Sequence, residues 1–219
     1  MSRTLHEHPF AAYCWKALIA LYERDVPFER HFVGDAADRE ALQALWPMGS
    51  IPVLVDDGLV IPESSAIVEH LDGVGQAPPL VPAGRGVALQ ARLWDRIVDG
   101  HVMTPMQKIV ADELRPEGGR DPEGVRLARA QLDRVYALLD DHLAAGGPWL
   151  AGEAFTLADC AAAPALFYAD VVHRRDEDDR PALTAYHAAL AGRPSVARVI
   201  DEARPYREVF PLPWPDHVD

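Results

Sequence analysis

The chain has 219 residues, 49% of them hydrophobic, which is enough for a core of ordinary size in one or two domains. Its net charge of −13, from 21 basic and 34 acidic residues, counts against nucleic acid and anionic membranes as partners, because phosphate groups bind to basic surfaces. The two cysteines lie far apart, which counts against a disulfide framework and favours a reducing compartment.

The first third of the chain shows alternating strand and helix patterns. Strands are predicted at residues 4–7 and 28–33, and helices at 13–23 and 36–46, the second of them ended by Pro47. Two short strands, 53–55 and 59–61, flank the hairpin signal Asp56-Asp57-Gly58. A helix follows at once, with Ser64 or Ser65 predicted as its N-cap. The predicted order is β-α-β-α-β-β-α.

The segment from Ile51 to Ser65 carries the features that point to ligand binding. Pro52 opens a strand and can adopt a cis peptide bond, which turns the N–H and C=O of Ile51 outward, where they can pair with an extended peptide. Glu63 offers a carboxylate for an ammonium group, while the hydroxyls of Ser64 and Ser65 and the N–H groups of a helix N-terminus suit a carboxylate. Together they suit the α-amino-acid end of a small peptide.

The run Ile51-Pro52-Val53-Leu54, followed by Glu63-Ser64-Ser65-Ala66-Ile67, resembles the glutathione-binding half of the glutathione S-transferase family. The resemblance extends over the whole chain. It implies an α/β plus all-α fold, with a thioredoxin-like domain over residues 1–72, a linker rich in Gly and Pro over 73–86, and an all-helical domain over 87–219. It also implies glutathione as co-substrate and a two-fold homodimer.

The second part of the chain shows helical periodicity without a convincing strand. Long helices are predicted over 87–114, bent at Pro105, and over 123–145. Thr156 and Asp159 form a capping box for a further helix, so Asp159 is interpreted as structural. Two more helices are predicted near 181–191 and 194–203. The tail from Phe210 is too rich in proline for a helix and is expected to pack as extended chain over a surface.

Activation of the glutathione thiol, which the resemblance places at the start of the first helix, leaves three alternatives. The serine position of the family falls on Ala11, which has no side-chain donor. The N–H groups of Ala12 and Tyr13 could stabilise a thiolate unaided, or the Tyr13 hydroxyl could do so. In the third alternative Cys14 is a redox nucleophile, which requires exposure and a lowered pKa; we favour burial in an apolar helix for this cysteine.

The resemblance places the glutathione-binding site at six residues: Ala11, Ser50, Ile51, Pro52, Glu63 and Ser64. Ser50 stands where the family often has a long polar or basic residue that meets the glycyl carboxylate. The pocket for the second substrate is predicted against the long helix after the linker, from Phe10, His101, Met103 and Met106. No metal site is predicted, because His6 and His8 lack the spacing of a ligand motif.

Charged residues on the helix after the linker, among them Asp95 and Asp99, are interpreted as a solvated face. In the family an acidic residue of this region reaches the ligand's ammonium group from the dimer partner, which makes the same two residues candidates for that role. Lys16 is expected to pair with a carboxylate or to keep the start of the first helix positive.

The predicted function is that of a glutathione transferase, which conjugates the glutathione thiolate to a small apolar electrophile in detoxification. The alternatives are a glutathione-dependent disulfide reductase or peroxidase that uses Cys14, and a non-catalytic glutathione-binding protein in which Ala11 marks lost chemistry. The N-terminus has no apolar signal region, and the most apolar stretch, 161–172, is too short to span a bilayer. A cytoplasmic location is therefore expected.

Overall fold

A four-stranded mixed sheet forms the first part of the molecule, in a computed structural model that describes residues 2–216 and 218. The strands are β1 (Arg3–Glu7), β2 (Glu29–Phe32), β3 (Val53–Asp56) and β4 (Leu59–Pro62), in the spatial order β2-β1-β3-β4. β1 pairs parallel with β2 and antiparallel with β3, and β3 pairs antiparallel with β4. The register places Leu5 opposite Leu54, and both side chains are fully buried. The β3–β4 turn has positive φ at Asp57 and Gly58, as a tight hairpin requires.

Three helices pack with this sheet: α1 (Ala12–Glu23), α2 (Ala36–Leu45) and α3 (Ser64–Asp72). The element order is the predicted β-α-β-α-β-β-α. Every residue of α1 from Cys14 to Leu21 is buried, because the helix packs against α3 and against helices from the second half of the chain. By contrast, α2 buries only Leu42 of its ten residues, so it lies on the surface. The helix α1 therefore joins the two parts of the molecule.

The rest of the chain is helical: α4 (Arg85–Val98), α5 (Thr104–Glu113), α6 (Pro122–Ala145), α7 (Leu157–Val172), α8 (Pro181–Ala191) and α9 (Pro194–Ala203). A π-helical turn covers Asp99–Met103, and short 3-10 helices cover Glu117–Gly119 and Arg204–Val209. The central helix α7 is buried along almost its whole length and packs against α1 and α4. Across residues 2–216 and 218, no helix combines the length and apolarity that crossing a membrane requires. The linker predicted over 73–86 covers the segment between α3 and α4 together with the first two residues of α4, Arg85 and Gly86.

The long helix predicted over 87–114 is interrupted before Pro105, which corrects the prediction of a bend at that proline. The interruption is the π-helical turn, in which the N–H of Thr104 donates to the carbonyl of Asp99. The Thr104 hydroxyl donates to the same carbonyl at 2.9 Å. Pro105 lies in the first turn of α5, where a missing N–H costs little. The extra residue in the turn changes which side chains of the two helix segments face the core.

Asp159 caps α7, as predicted. Its Oδ2 accepts the N–H of Thr156 at 2.8 Å, and its Oδ1 accepts the N–H of Leu150 at 3.0 Å and the hydroxyl of Tyr186 at 2.7 Å. Burial raises the pKa of the Asp159 carboxyl, and these hydrogen bonds oppose that rise. The carboxylate thus ties α7 to the preceding loop and to α8.

We expect His187 to make stability depend on pH. Burial and the nearby Arg175 lower its pKa from 6.5 to about 4. The folded state therefore binds a proton at the His187 imidazole less readily than the unfolded state does. The stability that depends on the neutral imidazole is fully present above pH 6.5 and is lost as the pH falls toward 4. The loss amounts to about 2–3 kcal/mol of unfolding free energy.

The measurement is denaturant unfolding of the wild type and His187→Gln, near neutral pH and at about pH 4.5. The glutamine can still accept from Arg175, whose guanidinium lies 2.8 Å from the imidazole Nδ1, but it does not titrate. The wild type should lose more stability on acidification than the variant. Equal losses of stability in the two proteins would contradict the assignment of this pH dependence to His187.

Candidate functional site

Two clefts meet at the start of α1 and share Tyr13 and Ile51. The first, called here the polar cleft, has a volume of about 510 Å³ and is lined by Tyr13, Ser50, Ile51, Pro52, Glu63, Ser64, Ser65, Ala66, Arg96, Asp99, Gly100 and Thr104. The second, called here the apolar cleft, has a volume of about 560 Å³ and is lined by Phe10, Ala11, Ala12, Tyr13, Ile51, Met106, Gln107, Val110, Ala111, Leu114, Tyr168, Val209, Phe210 and Pro211. A ligand with a polar and an apolar part can therefore occupy both.

One wall of the polar cleft is the loop before β3. The Ile51–Pro52 peptide bond is cis. Within residues 2–216 and 218, neither the N–H nor the C=O of Ile51 has a hydrogen-bond partner. Both groups are therefore available to the main chain of a bound peptide.

The N-terminus of α3 forms the next part of this wall, and here the predicted N-cap is wrong. The N-cap is Glu63, not Ser64 or Ser65, and its side chain makes no capping hydrogen bond. Glu63 has φ 68°, a left-handed conformation that is uncommon for a residue other than glycine and that often occurs at functional sites. The first-turn N–H groups of α3 consequently remain free and face a cleft lined by a serine hydroxyl, an arrangement that suits an anion.

A buried ionic cluster lies behind the polar cleft. The ammonium of Lys16 in α1 is fully buried and forms ion pairs with Asp95 and with Asp99, the latter at 3.0 Å. It also donates to the hydroxyl of Ser65 at 2.8 Å, and that hydroxyl donates to Asp95 at 2.9 Å. Lys16 therefore links α1, the first turn of α3 and the helix α4. This cluster corrects the interpretation of Asp95 and Asp99 as a solvated face, since both side chains are buried.

Asp99 lines the polar cleft as well as belonging to this cluster. Its Oδ1 is buried and has no hydrogen-bond partner among the described residues. Burial raises the pKa of this carboxyl, an effect that the Lys16 ammonium opposes. The exposed Arg96, at 3.7 Å from Asp99 Oδ2, adds a positive charge at the same wall.

The apolar cleft is closed on one side by the end of the chain. Phe10 packs against Tyr168, Phe210 and Trp214, with ring centroids 5.5–5.8 Å apart. The Tyr168 hydroxyl donates to the carbonyl of Phe10 at 3.0 Å. The proline-rich tail thus packs over a surface of the protein, as predicted, and that surface is a wall of the cleft.

Tyr13 lies in the first turn of α1, at the junction of the two clefts. Burial, together with the nearby Asp99, raises the pKa of its hydroxyl to about 12, so the group is protonated at neutral pH and can donate a hydrogen bond. The N-cap of α1 is Ala11, which provides no side-chain hydrogen bond, and the N–H groups of Ala12 and Tyr13 have no partner within the described chain. The start of α1 therefore provides two free N–H donors, and the Tyr13 side chain adds a hydroxyl donor to the lining of both clefts.

Comparison with known proteins identifies the fold and the family. The family model for the glutathione S-transferase N-terminal domain matches residues 5–79, and the model for the C-terminal domain matches residues 110–189. The chain is 30% identical to FtsZ-localized protein A of Caulobacter vibrioides over 218 residues, which cover 94% of this chain and 93% of the relative. The protein belongs to the glutathione S-transferase family.

Some relatives carry the name of a transferase, whereas others carry names that mention no enzymatic activity. Glutathione S-transferase GstB of Escherichia coli is 30% identical over 195 residues, covering 84% of this chain and 91% of the relative. A crystal structure of a glutathione S-transferase from Methylobacillus flagellatus with glutathione bound has a TM-score of 0.82 and 27% identity, covering 90% of this chain and 98% of that one. FzlA from C. crescentus has a TM-score of 0.77 and 25% identity, covering 99% and 95%.

Most of the residues that were predicted to bind glutathione lie together in one cleft. Ser50, Ile51, Pro52, Glu63 and Ser64 line the polar cleft, whereas Ala11 lines the apolar cleft. Cys14 is fully buried, and burial raises its thiol pKa well above the usual range. The two conditions for a redox nucleophile, exposure and a lowered pKa, are therefore not met.

Two of the residues predicted for the second substrate lie elsewhere. Phe10 and Met106 line the apolar cleft, but Met103 is fully buried in the core. His101 is exposed and lines neither cleft, and its imidazole lies 3.2 Å from the side-chain amide of Gln131. The reason is the π-helical turn, which rotates residues 101–103 relative to α5.

Sequence reasoning missed several residues of both clefts. Arg96 and Thr104 line the polar cleft, and Tyr168 and Val209 line the apolar cleft. For Phe210 and Pro211, which also line the apolar cleft, the available signal was the proline-rich tail, because such a segment was expected to cover a surface. No local pattern indicates which surface it covers.

Proposed function

We propose that the protein is a glutathione transferase, in which the polar cleft holds glutathione and the apolar cleft holds an electrophile with an apolar body. The observation that carries this proposal is the junction of the two clefts at Tyr13 and Ile51. A thiol placed at this junction is held next to the second substrate, and such proximity replaces a bimolecular encounter by an effectively intramolecular step.

In this proposal three groups bind the peptide. The free N–H and C=O of Ile51 pair with the cysteinyl main chain of glutathione. The Glu63 carboxylate takes the α-ammonium group, and Ser64 with the free N–H groups at the start of α3 takes the α-carboxylate. This places the γ-glutamyl end at α3 and the thiol toward α1.

The start of α1 stabilises the thiolate. The free N–H groups of Ala12 and Tyr13 provide the positive end of the helix dipole, and the protonated Tyr13 hydroxyl adds a directed hydrogen bond. Lowering the pKa of the bound thiol raises the fraction present as the nucleophilic thiolate. The thiolate then forms a C–S bond to the electrophilic carbon. The electron pair of the bond that breaks passes to the departing halide, to the opened epoxide oxygen or to the enolate oxygen, and each of these two oxygen anions then takes up a proton from water.

We expect Ser64→Ala to weaken glutathione binding by about tenfold, because a hydrogen bond to a charged carboxylate is lost. Isothermal titration calorimetry at neutral pH measures this directly. The control is Ser2→Ala, the same chemical change at an exposed residue that lines neither cleft. Transfer is then assayed with an activated aryl halide, an epoxide and an α,β-unsaturated carbonyl compound. Wild-type protein that binds no glutathione would contradict the proposal.

A non-catalytic glutathione-binding protein is the second candidate function. It is favoured by the absence of a side-chain donor at Ala11 and by the similarity to FtsZ-localized protein A. This alternative predicts glutathione binding that Ser64→Ala weakens, without turnover of any electrophile of the panel. The transferase proposal predicts both binding and turnover.

A further inference from the structure

We propose that the polar cleft selects its ligand by the γ-glutamyl-cysteinyl part and does not select for the glycyl carboxylate, so that its ligand class is γ-glutamyl thiols in general. Glutathione is one member of this class, and γ-glutamylcysteine and glycyl esters of glutathione are others. The inference rests on the proposed function and adds to it which end of the peptide the protein recognises.

The charges of the polar cleft are concentrated at one end. Of the described residues that line it, Arg96 is the one with a positive charge. Its guanidinium lies 3.7 Å from Asp99, which in turn is paired with the buried Lys16. Lys16 also holds Ser65 in the first turn of α3, at 2.8 Å. The positive charge, the carboxylate of Glu63 and the free N–H groups of α3 thus all belong to the end that binds the γ-glutamyl group.

Ser50 lies at the other end of this ligand path, and apart from Arg96 the described residues that line the cleft include no basic side chain that could meet a carboxylate there. Residues 41–52 contain no basic side chain. The Ser50 hydroxyl accepts a hydrogen bond from the indole N–H of Trp46 at 3.1 Å. Arg39, the nearest preceding arginine, donates instead to the carbonyl of Gly34 at the other end of α2. Met48 beside this end is 75% exposed, so the region is open to water.

The glycyl residue must leave the cleft at this open end. A peptide whose γ-glutamyl group lies at α3 and whose cysteinyl main chain pairs with Ile51 continues toward Ser50. A carboxylate there remains hydrated and gains no ion pair, so its charge contributes little to affinity. The net charge of −13 adds a weak repulsion that removal of the carboxylate would relieve.

Calorimetric titration of wild-type protein with four thiols tests this inference: glutathione, its glycyl monoethyl ester, γ-glutamylcysteine, and glutathione acetylated on its amino group. The glycyl ester is expected to bind within about twofold of glutathione, since an unpaired exposed charge contributes little. The dipeptide, whose cysteinyl carboxylate takes the place of the amide C=O opposite the Ile51 N–H, is expected to bind within about fivefold of glutathione. The acetylated peptide should bind at least about tenfold more weakly, because it lacks the ammonium that Glu63 meets. A loss of about fivefold or more for both the ester and the dipeptide would overturn the inference.

A variant designed to gain selectivity for the glycyl carboxylate provides an independent test. Ser50→Lys places an ammonium where the glycyl carboxylate leaves the cleft, and Ser50→Met is the control with similar length and no charge. Ser50→Lys should bind glutathione about threefold or more tightly than its glycyl ester, whereas Ser50→Met should show no preference. Equal binding of both ligands by Ser50→Lys would mean that the glycyl end lies elsewhere and would overturn the inference.

The two proposals fail in different ways. Wild-type protein that binds neither glutathione nor its ester contradicts the proposed function and, with it, this inference. Wild-type protein that binds glutathione but rejects the ester and the dipeptide contradicts only the inference.

Discussion

Lys16→Met is expected to lower the free energy of unfolding by about 3–5 kcal/mol, which is the usual cost of removing one partner from a buried ion pair. Lys16 is fully buried, and its ammonium is shared by Asp95, Asp99 and the hydroxyl of Ser65. Methionine fills a similar volume but leaves the buried Asp95 carboxylate without a counter-ion and Asp99 with only the exposed Arg96, at 3.7 Å. The measurement is the midpoint of guanidinium unfolding.

The chain offers a matched control for this variant. Lys108, the second of its two lysines, is partly exposed and pairs with the partly exposed Asp121 at 2.6 Å. Lys108→Met should cost less than about 1 kcal/mol, because solvent screens a surface pair. The triple variant Lys16→Met/Asp95→Asn/Asp99→Asn should recover most of the loss, since it removes the uncompensated charges. Equal costs for the two single lysine variants would contradict the assigned cluster.

Tyr13→Phe is expected to lower the rate of glutathione transfer by on the order of 10²-fold at neutral pH, the usual effect of removing one donor from a developing or stabilised anion. The physical reason is that the Tyr13 hydroxyl, whose pKa is raised to about 12, is a permanent donor at the junction of the clefts. Without it, the pKa of the bound thiol rises and less thiolate is present. Glutathione affinity should change far less than the rate.

The pH dependence distinguishes this role from a packing role. In Tyr13→Phe the pH–rate profile should move to higher pH by about 1–2 units, because the thiol deprotonates later. Tyr206→Phe is the control, since Tyr206 lines neither cleft and stacks on Phe32. A loss below about threefold with an unshifted profile would assign thiolate stabilisation to the N–H groups of Ala12 and Tyr13 alone.

Elements whose signals are local were predictable from the sequence. The Asp57-Gly58 turn, the capping box of Asp159 and the helices that begin at Pro181 and Pro194 all occur as expected. Each depends on side chains within a few residues of the backbone groups that they constrain. The loop at Ile51-Pro52 and the start of α3 were found in the same way, because a binding motif made of adjacent residues can be recognised from the sequence without knowledge of the fold.

Local reasoning failed where a helix changed its geometry. The periodicity of residues 87–114 does not show a π-helical turn, so Met103 and His101 were placed in a pocket together with Met106. One extra residue in a turn rotates everything that follows it, and it leaves Met103 in the core and His101 in solvent. In α3, the left-handed backbone of Glu63 took the cap position that the serines were expected to hold.

By itself the sequence determined the element order of the first domain, the family and the residues of the polar cleft at Ile51 and Ser64, because those depend on short motifs and on hydrophobic periodicity. Only the tertiary structure decided that Lys16 pairs with Asp99, 83 residues away, and that the tail closes the apolar cleft onto Phe10. These are contacts between distant segments. Their partners are selected by the packing of the whole chain, since burying a charge or an aromatic ring is favourable only where a complementary group already lies.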